Sequence, residues 1–434
     1  MRYMNIKNRV IFFSYQGLYL LKRLCNRYFY YLYSYSKKSH FFTPLRVLIR
    51  LRFVTFCLYF CTQYCFMLDN WLSPISLSTL ALPDLNEDQL GSRMQIHTEG
   101  KFPSLQGIQI AILALNEREG VALRKALYPL SFPFEGLHIA DLGTIRKNTE
   151  EFIMPVLIEL HESGILPIIV GTDPALMQIQ YKGLQHELQH INMVAIDEHI
   201  RLSVPVEGVK PDLFNEIVFQ EKSKLFNLGI IGCQTHFVLP STYRLMEELH
   251  FDYIRLGTAR TNLSEVEPII RDADLLGFQL ASLKQSEAPG QESATPSGFT
   301  IEEACQLSRY GGMSEKVKSF GIFGYKSALD RKAQTANAIA QMIWYFLDGL
   351  HNRKGDFPVA TDGLTEYIVE LKSLDFTVTF WKSQRSGRWW LQVPVKTAKK
   401  HQRHRLIPCS YNDYKMASQD ELPDRLVNAF KRFL

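Results

Sequence analysis

Short apolar runs alternate with longer amphipathic segments from residue 108 onward. The runs predict eight strands, at 108–115, 137–142, 166–170, 192–196, 228–232, 253–256, 275–280 and 320–323. The segments between and after them predict helices at 150–162, 174–189, 240–250, 300–310 and 328–350. Strands that are apolar on both faces and separated by helices indicate a parallel sheet covered by helices on both sides. The pattern therefore predicts an α/β fold.

Polar residues follow several of these strands, at the edge where open α/β sheets bind ligands. The segment LPIIVGTDPALMQ at 166–178 reads as a strand, a turn and a helix start, with Pro174 in the first helical turn. The segment NMVAIDEHIRL at 192–202 places Asp197, His199 and Arg201 at alternate positions. Alternate residues of an extended chain point to the same side, so these three side chains are expected to converge.

Two later segments complete the series. GFQLASLKQSEAPG at 277–290 carries Gln279 and Ala281 at the end of the seventh predicted strand. GFTIEEA at 298–304 opens a helix and carries Glu303. Four such segments in the same order, at strand ends, are more specific together than any one of them alone.

In this order the segments resemble those of the ureohydrolases, the family of arginases, agmatinases and formimidoylglutamases. The resemblance covers residues 105–352, and GCQTH at 232–236 is most similar to the formimidoylglutamase branch. It implies a three-layer α/β/α sandwich around an eight-stranded parallel sheet. It also implies two manganese ions that hydrolyse a carbon–nitrogen bond of a guanidine or amidine, and a homo-oligomer.

The resemblance also locates six metal ligands, and most of them have changed. Asp197 and His199 are kept, whereas the other ligand positions carry Pro174, Arg201, Gln279 and Ala281. Glu303 falls on the substrate-binding glutamate of the family. Paired hard cations require several oxygen or imidazole donors and bridging carboxylates. The sequence therefore argues against the two-manganese chemistry of the family.

Three functions remain open at this point. The first is a binding or scaffolding protein without hydrolysis, in which Arg201 neutralises Asp197 and Glu303. The second is an active amidine hydrolase, such as a formimidoylglutamase, with manganese held by Asp197, His199 and Glu303 plus Asp173 or His236. The third is a sensor that binds a guanidinium or amino-acid ligand through Glu303 without cleaving it.

Residues 1–66 differ in composition from the rest of the chain, because they are rich in aromatic and basic residues and contain no Asp or Glu. Their longest uncharged run, 53–68, is shorter than the ~20 apolar residues of a membrane span. A mistaken upstream start, with Met67 as the natural N-terminus, is the favoured interpretation. A basic membrane-associating arm and a spanning helix are the alternatives. Residues 67–104 are predicted to be an extension packed on the 105–355 domain.

Residues 359–434 predict a small α+β module, with strands at 365–372, 376–382 and 388–393 and a closing helix at 423–434. The stretch 382–405 carries eight Lys and Arg residues and no acid, next to or among Trp381, Trp389 and Trp390. The favoured interpretation is that the tryptophans pack the module. A partner-binding basic face for an acidic protein or a membrane is the alternative, and nucleic-acid binding is disfavoured.

The sparse cysteines after residue 66 suit a reducing cytoplasm.

Overall fold

The computed structural model describes residues 2–6, 9–13, 68–392 and 406–433. The chain divides into two compact units, residues 1–70 and 71–434. In the first unit, strands β1 (Arg2–Ile6) and β2 (Arg9–Phe13) pair antiparallel. The uncharged run at 53–68 lies, apart from Leu68, outside the described residues. Among the helices that are described, none combines the length and the apolar character needed to cross a bilayer.

A ten-stranded sheet forms the centre of the second unit. Eight parallel strands occur in the order β10-β9-β8-β11-β12-β7-β5-β6. Two short strands from the 67–104 extension pair with β6, β3 antiparallel and β4 parallel. The predicted eight-stranded parallel sheet is thus confirmed, and the extension widens it. The strands are β3 (Leu72–Ser73), β4 (Gln95–Ile96), β5 (Ile110–Ala114), β6 (Ile139–Ile145), β7 (Leu166–Gly171), β8 (Ile191–Ile196), β9 (Leu225–Cys233), β10 (Asp252–Arg255), β11 (Leu275–Gln279) and β12 (Ser319–Phe323).

Helices cover both faces of this sheet, which gives the three layers that the sequence predicts. They are α1 (Leu77–Leu80), α2 (Leu90–Arg93), α3 (Glu117–Leu127), α4 (Glu150–Glu162), α5 (Leu176–Leu184), α6 (Asn215–Val218), α7 (Pro240–Glu248), α8 (Leu256–Thr261), α9 (Glu267–Arg271), α10 (Ile301–Met313) and α11 (Gln334–His351).

Two neighbouring residues of β11 show that α5 and α10 lie on opposite faces. Gly277 faces Met177 of α5, and Leu276 faces Gly311 of α10. Because successive side chains of a strand point to opposite sides, the two helices must flank the sheet. The close packing of α10 on α11 requires Gly312, since a Cβ there would lie 2.0 Å from the carbonyl oxygen of Phe346.

Two helix boundaries, the end of α5 and the start of α11, differ from the prediction by more than three residues. Helix α5 begins two residues after Pro174 and ends at Leu184, because residues 185–187 continue only as turns. Helix α11 begins at Gln334 instead of residue 328. Lys332 and Ala333 both have φ near +55°, a left-handed conformation that cannot continue a helix.

The C-terminal module contains a four-stranded antiparallel sheet in the order β13-β14-β15-β16 and two helices. The three predicted strands are present, whereas β16 and α12 were not predicted. The elements are β13 (Leu364–Leu371), β14 (Phe376–Ser383), β15 (Trp389–Gln392), β16 (Leu406–Cys409), α12 (Tyr411–Ser418) and α13 (Asp424–Phe433). Residues 393–405, with five of the eight cations of the basic stretch, lie outside the described residues.

Trp389 and Trp390 pack the module, as expected. Their exposed fractions are 6% and 1%. The ring of Trp389 stacks on Tyr414 with centroids 4.7 Å apart. The guanidinium of Arg271 in α9 lies 4.5 Å from the Trp390 ring and donates hydrogen bonds to the carbonyls of Trp389 and Cys409. The ring of Trp389 therefore packs within the module, and the ring of Trp390 contacts Arg271 of the sandwich.

Candidate functional site

The candidate site lies at the carboxyl ends of two neighbouring strands. Asp197 directly follows β8, and Gln279 is the last residue of β11. Phe278 of β11 pairs with Ile196 of β8, so the register places Gln279 beside Asp197. The backbone N–H of Asp197 donates to the carbonyl of Ile231 in β9, which fixes the point where the chain leaves the sheet.

Arg201 is the central cation of this site. Its Nε donates to Oδ2 of Asp197 at 2.7 Å, and its Nη2 lies 3.3 Å from Oδ1 of the same carboxylate. The same Nη2 donates to Oε1 of Glu198 at 3.2 Å. One guanidinium therefore bridges two carboxylates, in the planar geometry that makes Arg–carboxylate bonds strong.

His199 completes the cluster. Its backbone N–H donates to Oδ1 of Asp197 at 3.0 Å, and its Nδ1 lies 2.8 Å from Oε1 of Glu198. Since a carboxylate can only accept, Nδ1 carries the proton. The imidazole stacks on Phe237 with ring centroids 4.7 Å apart, and 38% of its side chain is exposed. His199 thus forms the open side of an otherwise buried network.

The two acids are buried, with exposed fractions of 0% for Asp197 and 1% for Glu198. Burial and the neighbouring Glu198 outweigh Arg201 and raise the pKa of Asp197 to about 7. Burial acts to raise the pKa of Glu198 as well, but hydrogen bonds from His199 and Asp197, together with Arg201, lower it. Two carboxylates facing one guanidinium therefore retain a proton near neutral pH.

Glu198 is a site residue that the sequence reasoning missed. Strict alternation places it on the side opposite to Asp197 and His199. The chain bends directly after β8, and this bend turns Glu198 into the cluster. An acid immediately after an apolar strand, between two expected ligands, was the signal that could have identified it.

The other positions at which the resemblance expects metal ligands provide few donor atoms. Pro174 lies in the turn before α5, where Asp173 accepts a hydrogen bond from the backbone N–H of Ala175. Ala281 lies in a buried single 3-10 turn after β11. Gln279 is 1% exposed, and neither atom of its side-chain amide has a hydrogen-bond partner among the described residues.

Glu303 is engaged elsewhere. Its carboxylate accepts from Nε of Arg260 at 2.8 and 3.1 Å. It also accepts from the backbone N–H of Thr300 at 2.8 Å, as part of the capping box that begins α10. The expectation that Arg201 neutralises Glu303 is wrong, because Arg260 does so. Neither His236, which is exposed and lies tilted against the ring of Phe237, nor the exposed Asp173 hydrogen-bonds to the cluster.

Asp197, Glu198 and His199 place donor atoms within 4.8 Å of one another, as a single cation would require. Arg201 already bonds to both carboxylates, however, and Nδ1 of His199 is bonded to Glu198. No second set of donors stands at Pro174, Gln279 or Ala281. The residues present therefore do not fit a two-manganese centre.

Solved structures of similar fold agree with this architecture. Formimidoylglutamase from Bacillus subtilis is 16% identical, with a TM-score of 0.54 over 68% of this chain and 98% of that one. Formiminoglutamase from Trypanosoma cruzi, solved with manganese, is 15% identical, with a TM-score of 0.53 over 61% of this chain and 99% of that one. An arginase-superfamily protein from Trypanosoma cruzi is 15% identical, with a TM-score of 0.54 over 62% and 100%.

Comparison of sequences finds neither a matching family model nor a matching characterised protein. The likeness to solved structures establishes the fold. This chain has an arginase-like fold, with eight parallel strands in the central sheet and a further C-terminal module.

Proposed function

We propose that this chain uses the ureohydrolase fold as a binding or scaffolding protein and does not carry two-manganese hydrolysis. One observation supports the proposal above all others. The guanidinium of Arg201 bonds to both buried carboxylates, at the position where the family resemblance expects a metal-ligating aspartate.

Arg201 supplies the positive charge that two buried acids need. A buried carboxylate without a compensating cation costs several kcal/mol. A guanidinium satisfies that requirement and holds the segment that follows β8 in place. It cannot act as a Lewis acid or lower the pKa of a bound water, which is the chemistry that manganese supplies in hydrolysis.

The surface beside the cluster supports a binding role. The loop that follows Arg201 exposes Val204, Val206 and Val209 by 52%, 60% and 64%. After the neighbouring strand β9, Leu239 is 68% exposed. Large apolar side chains grouped on loops of one edge are typical of protein contact sites. Self-association through this edge and partner contact through the C-terminal module belong to the same proposal.

The test is metal analysis of the full chain purified in manganese-containing buffer and then desalted, together with an assay of formimidoylglutamate hydrolysis. We expect essentially no bound manganese and no hydrolysis. Two manganese ions per chain, or hydrolysis that depends on manganese, would overturn the proposal.

A pair of variants makes this test specific. Arg201→Asp restores a carboxylate at the third position of the Asp-x-His-x-Asp pattern and removes the competing guanidinium. We expect it to gain weak manganese binding without hydrolysis, since Pro174, Gln279 and Ala281 still provide no carboxylate or imidazole. Arg260→Asp, at the neighbouring ion pair with Glu303, is the matched control and should gain none.

A further inference from the structure

A cavity of about 340 Å³ opens at the edge of the sheet opposite to the candidate site. It lies at the amino ends of β5 and β7, where Ile110 and Leu166 line it, and at the end of α11, where Leu350 and Arg353 line it. The volume is within the range of small-molecule sites. No residue of the Asp197 cluster lines it.

The walls combine an apolar body with a few charged groups. Ile110, Ile165, Leu166, Val317 and Leu350 provide apolar surface along the cavity. Four charged residues also line it, two cations and two acids: Lys318, Arg353, Glu187 and Glu315. The way in which these four are paired decides which ligand the cavity can take.

Both acids are already engaged. Glu187 forms an ion pair with Lys318. Glu315 accepts hydrogen bonds from the backbone N–H groups of Lys354 and Gly355 at 3.0 and 2.8 Å. Both bonds reach Oε1 of Glu315, and the charge of this carboxylate also acts on Arg353.

Arg353 is the cation of the cavity wall that forms no ion pair within the described part of the chain. Its Nε donates to the carbonyl of Gly312 at 2.9 Å, and its Nη2 donates to the carbonyl of Val317 at 3.4 Å. Within the described part of the chain it forms no ion pair, and its Nη1 has no acceptor. Burial lowers the pKa of Arg353 to about 10 against the opposing charge of Glu315, and Arg388 acts in the same direction as burial.

His161, at the end of α4, adds a second unsatisfied polar group. It is 6% exposed, and its Nε2 has no hydrogen-bond partner among the described residues. Burial lowers its pKa to about 3, and nearby Lys318 acts in the same direction, so the imidazole is neutral. A neutral imidazole can accept or donate one bond without adding charge.

We propose that this cavity binds a small molecule with one carboxylate and an apolar body, with the carboxylate on Nη1 of Arg353. Carboxylates match the fork geometry of a guanidinium, and the bond is strongest when both groups are desolvated. The apolar body packs against Val317 and Leu350. The site is independent of the proposed function of the opposite edge.

Benzoate is the probe, titrated calorimetrically into the full chain. Benzyl alcohol keeps the ring but lacks the charge, and inorganic phosphate keeps the charge but lacks the ring. We expect saturable binding of benzoate and at least tenfold weaker binding of both comparison compounds. Benzyl alcohol cannot form the charge-assisted bond to Arg353, and phosphate has no ring to pack against the apolar wall. Absence of saturable benzoate binding, or binding of either comparison compound as tight as that of benzoate, would overturn the proposal.

Variants then locate the site. Arg353→Gln should weaken benzoate binding by about tenfold or more, since it removes a charge-assisted bond. Arg309→Gln, which removes a half-exposed arginine paired with Asp348 outside the cavity, should bind benzoate like the unmodified chain. Should Arg353→Gln fail to fold, Leu350→Phe narrows the cavity and leaves Arg353 in place. Unchanged binding in the variant that folds would refute this location.

Discussion

Replacing Arg201 by glutamine tests the central interaction of the candidate site. The substitution removes the only guanidinium that bonds to Asp197 and Glu198 among the described residues. Both carboxylates are almost completely buried, so no water can take over its role without rearrangement. We therefore expect the variant to be less stable toward urea. We also expect the pKa values of the two acids to rise.

The size of the effect follows from burial. Breaking a buried ion pair by removing one partner costs roughly 3–5 kcal/mol, because it leaves an uncompensated buried charge. The Arg201 side chain is 26% exposed, so water screens part of its interaction. The lower end of that range, about 3 kcal/mol, is the expected loss of unfolding free energy.

Arg260→Gln is the matched control, because it breaks another arginine–carboxylate pair near the same edge of the sheet. The side chains of Arg260 and Glu303 are 40% and 17% exposed. Pairs with an exposed partner contribute about 1 kcal/mol or less. Urea unfolding followed by tryptophan fluorescence measures both variants. Equal losses in the two would refute the reasoning that burial of Asp197 and Glu198 makes Arg201 important.

A second variant tests the same explanation from the side of the acids. Asp197→Asn combined with Arg201→Gln removes one carboxylate along with the guanidinium. The double variant should recover part of the stability lost by Arg201→Gln alone, because Glu198 then has no like-charged neighbour. A double variant that is less stable by the sum of the two single losses would contradict this coupling.

Two further predictions concern other parts of the fold. The pKa of His161 is about 3 in the folded chain against 6.5 as its ordinary value, so its stabilising contribution is present above pH 6.5 and is lost as the pH falls toward 3. The unfolding free energy of His161→Gln should therefore fall less steeply in this window, by up to about 1.4 kcal/mol per pH unit, in acid titrations of urea unfolding. Gly232→Ala should cost about 1–3 kcal/mol, since φ is +94° and a Cβ would lie 2.5 Å from the Phe299 ring. Gly257→Ala, in a helix with open space around its Cα, is the control and should not destabilise the chain in thermal melts.

The parallel sheet could be predicted because its strands are apolar on both faces and differ clearly from the amphipathic helices between them. β5 and β8, for example, are buried along their entire length. The short strands β3 and β4 could not be predicted in the same way. Each has only two residues, and they exist because the edge strand β6 presents free backbone groups to the chain that passes it.

The candidate site, like the sheet, could be predicted from the sequence only in part. The order of the motif segments located Asp197, His199 and Arg201 at one strand end. Alternation along an extended chain could not reveal that a bend brings Glu198 to Arg201. Nor could it reveal that Glu303 pairs with Arg260, since 43 residues separate these two in the chain.

Local sequence therefore determined which segments become strands and which polar residues stand at their ends. These properties depend on residue type and on the period of the pattern over a few neighbours. The tertiary structure alone decided how charges are shared among Asp197, Glu198 and Arg201. It also decided that Arg353 meets a cavity without a carboxylate partner. Both depend on side chains that long-range packing brings within a few ångströms, where burial sets the strength of each interaction.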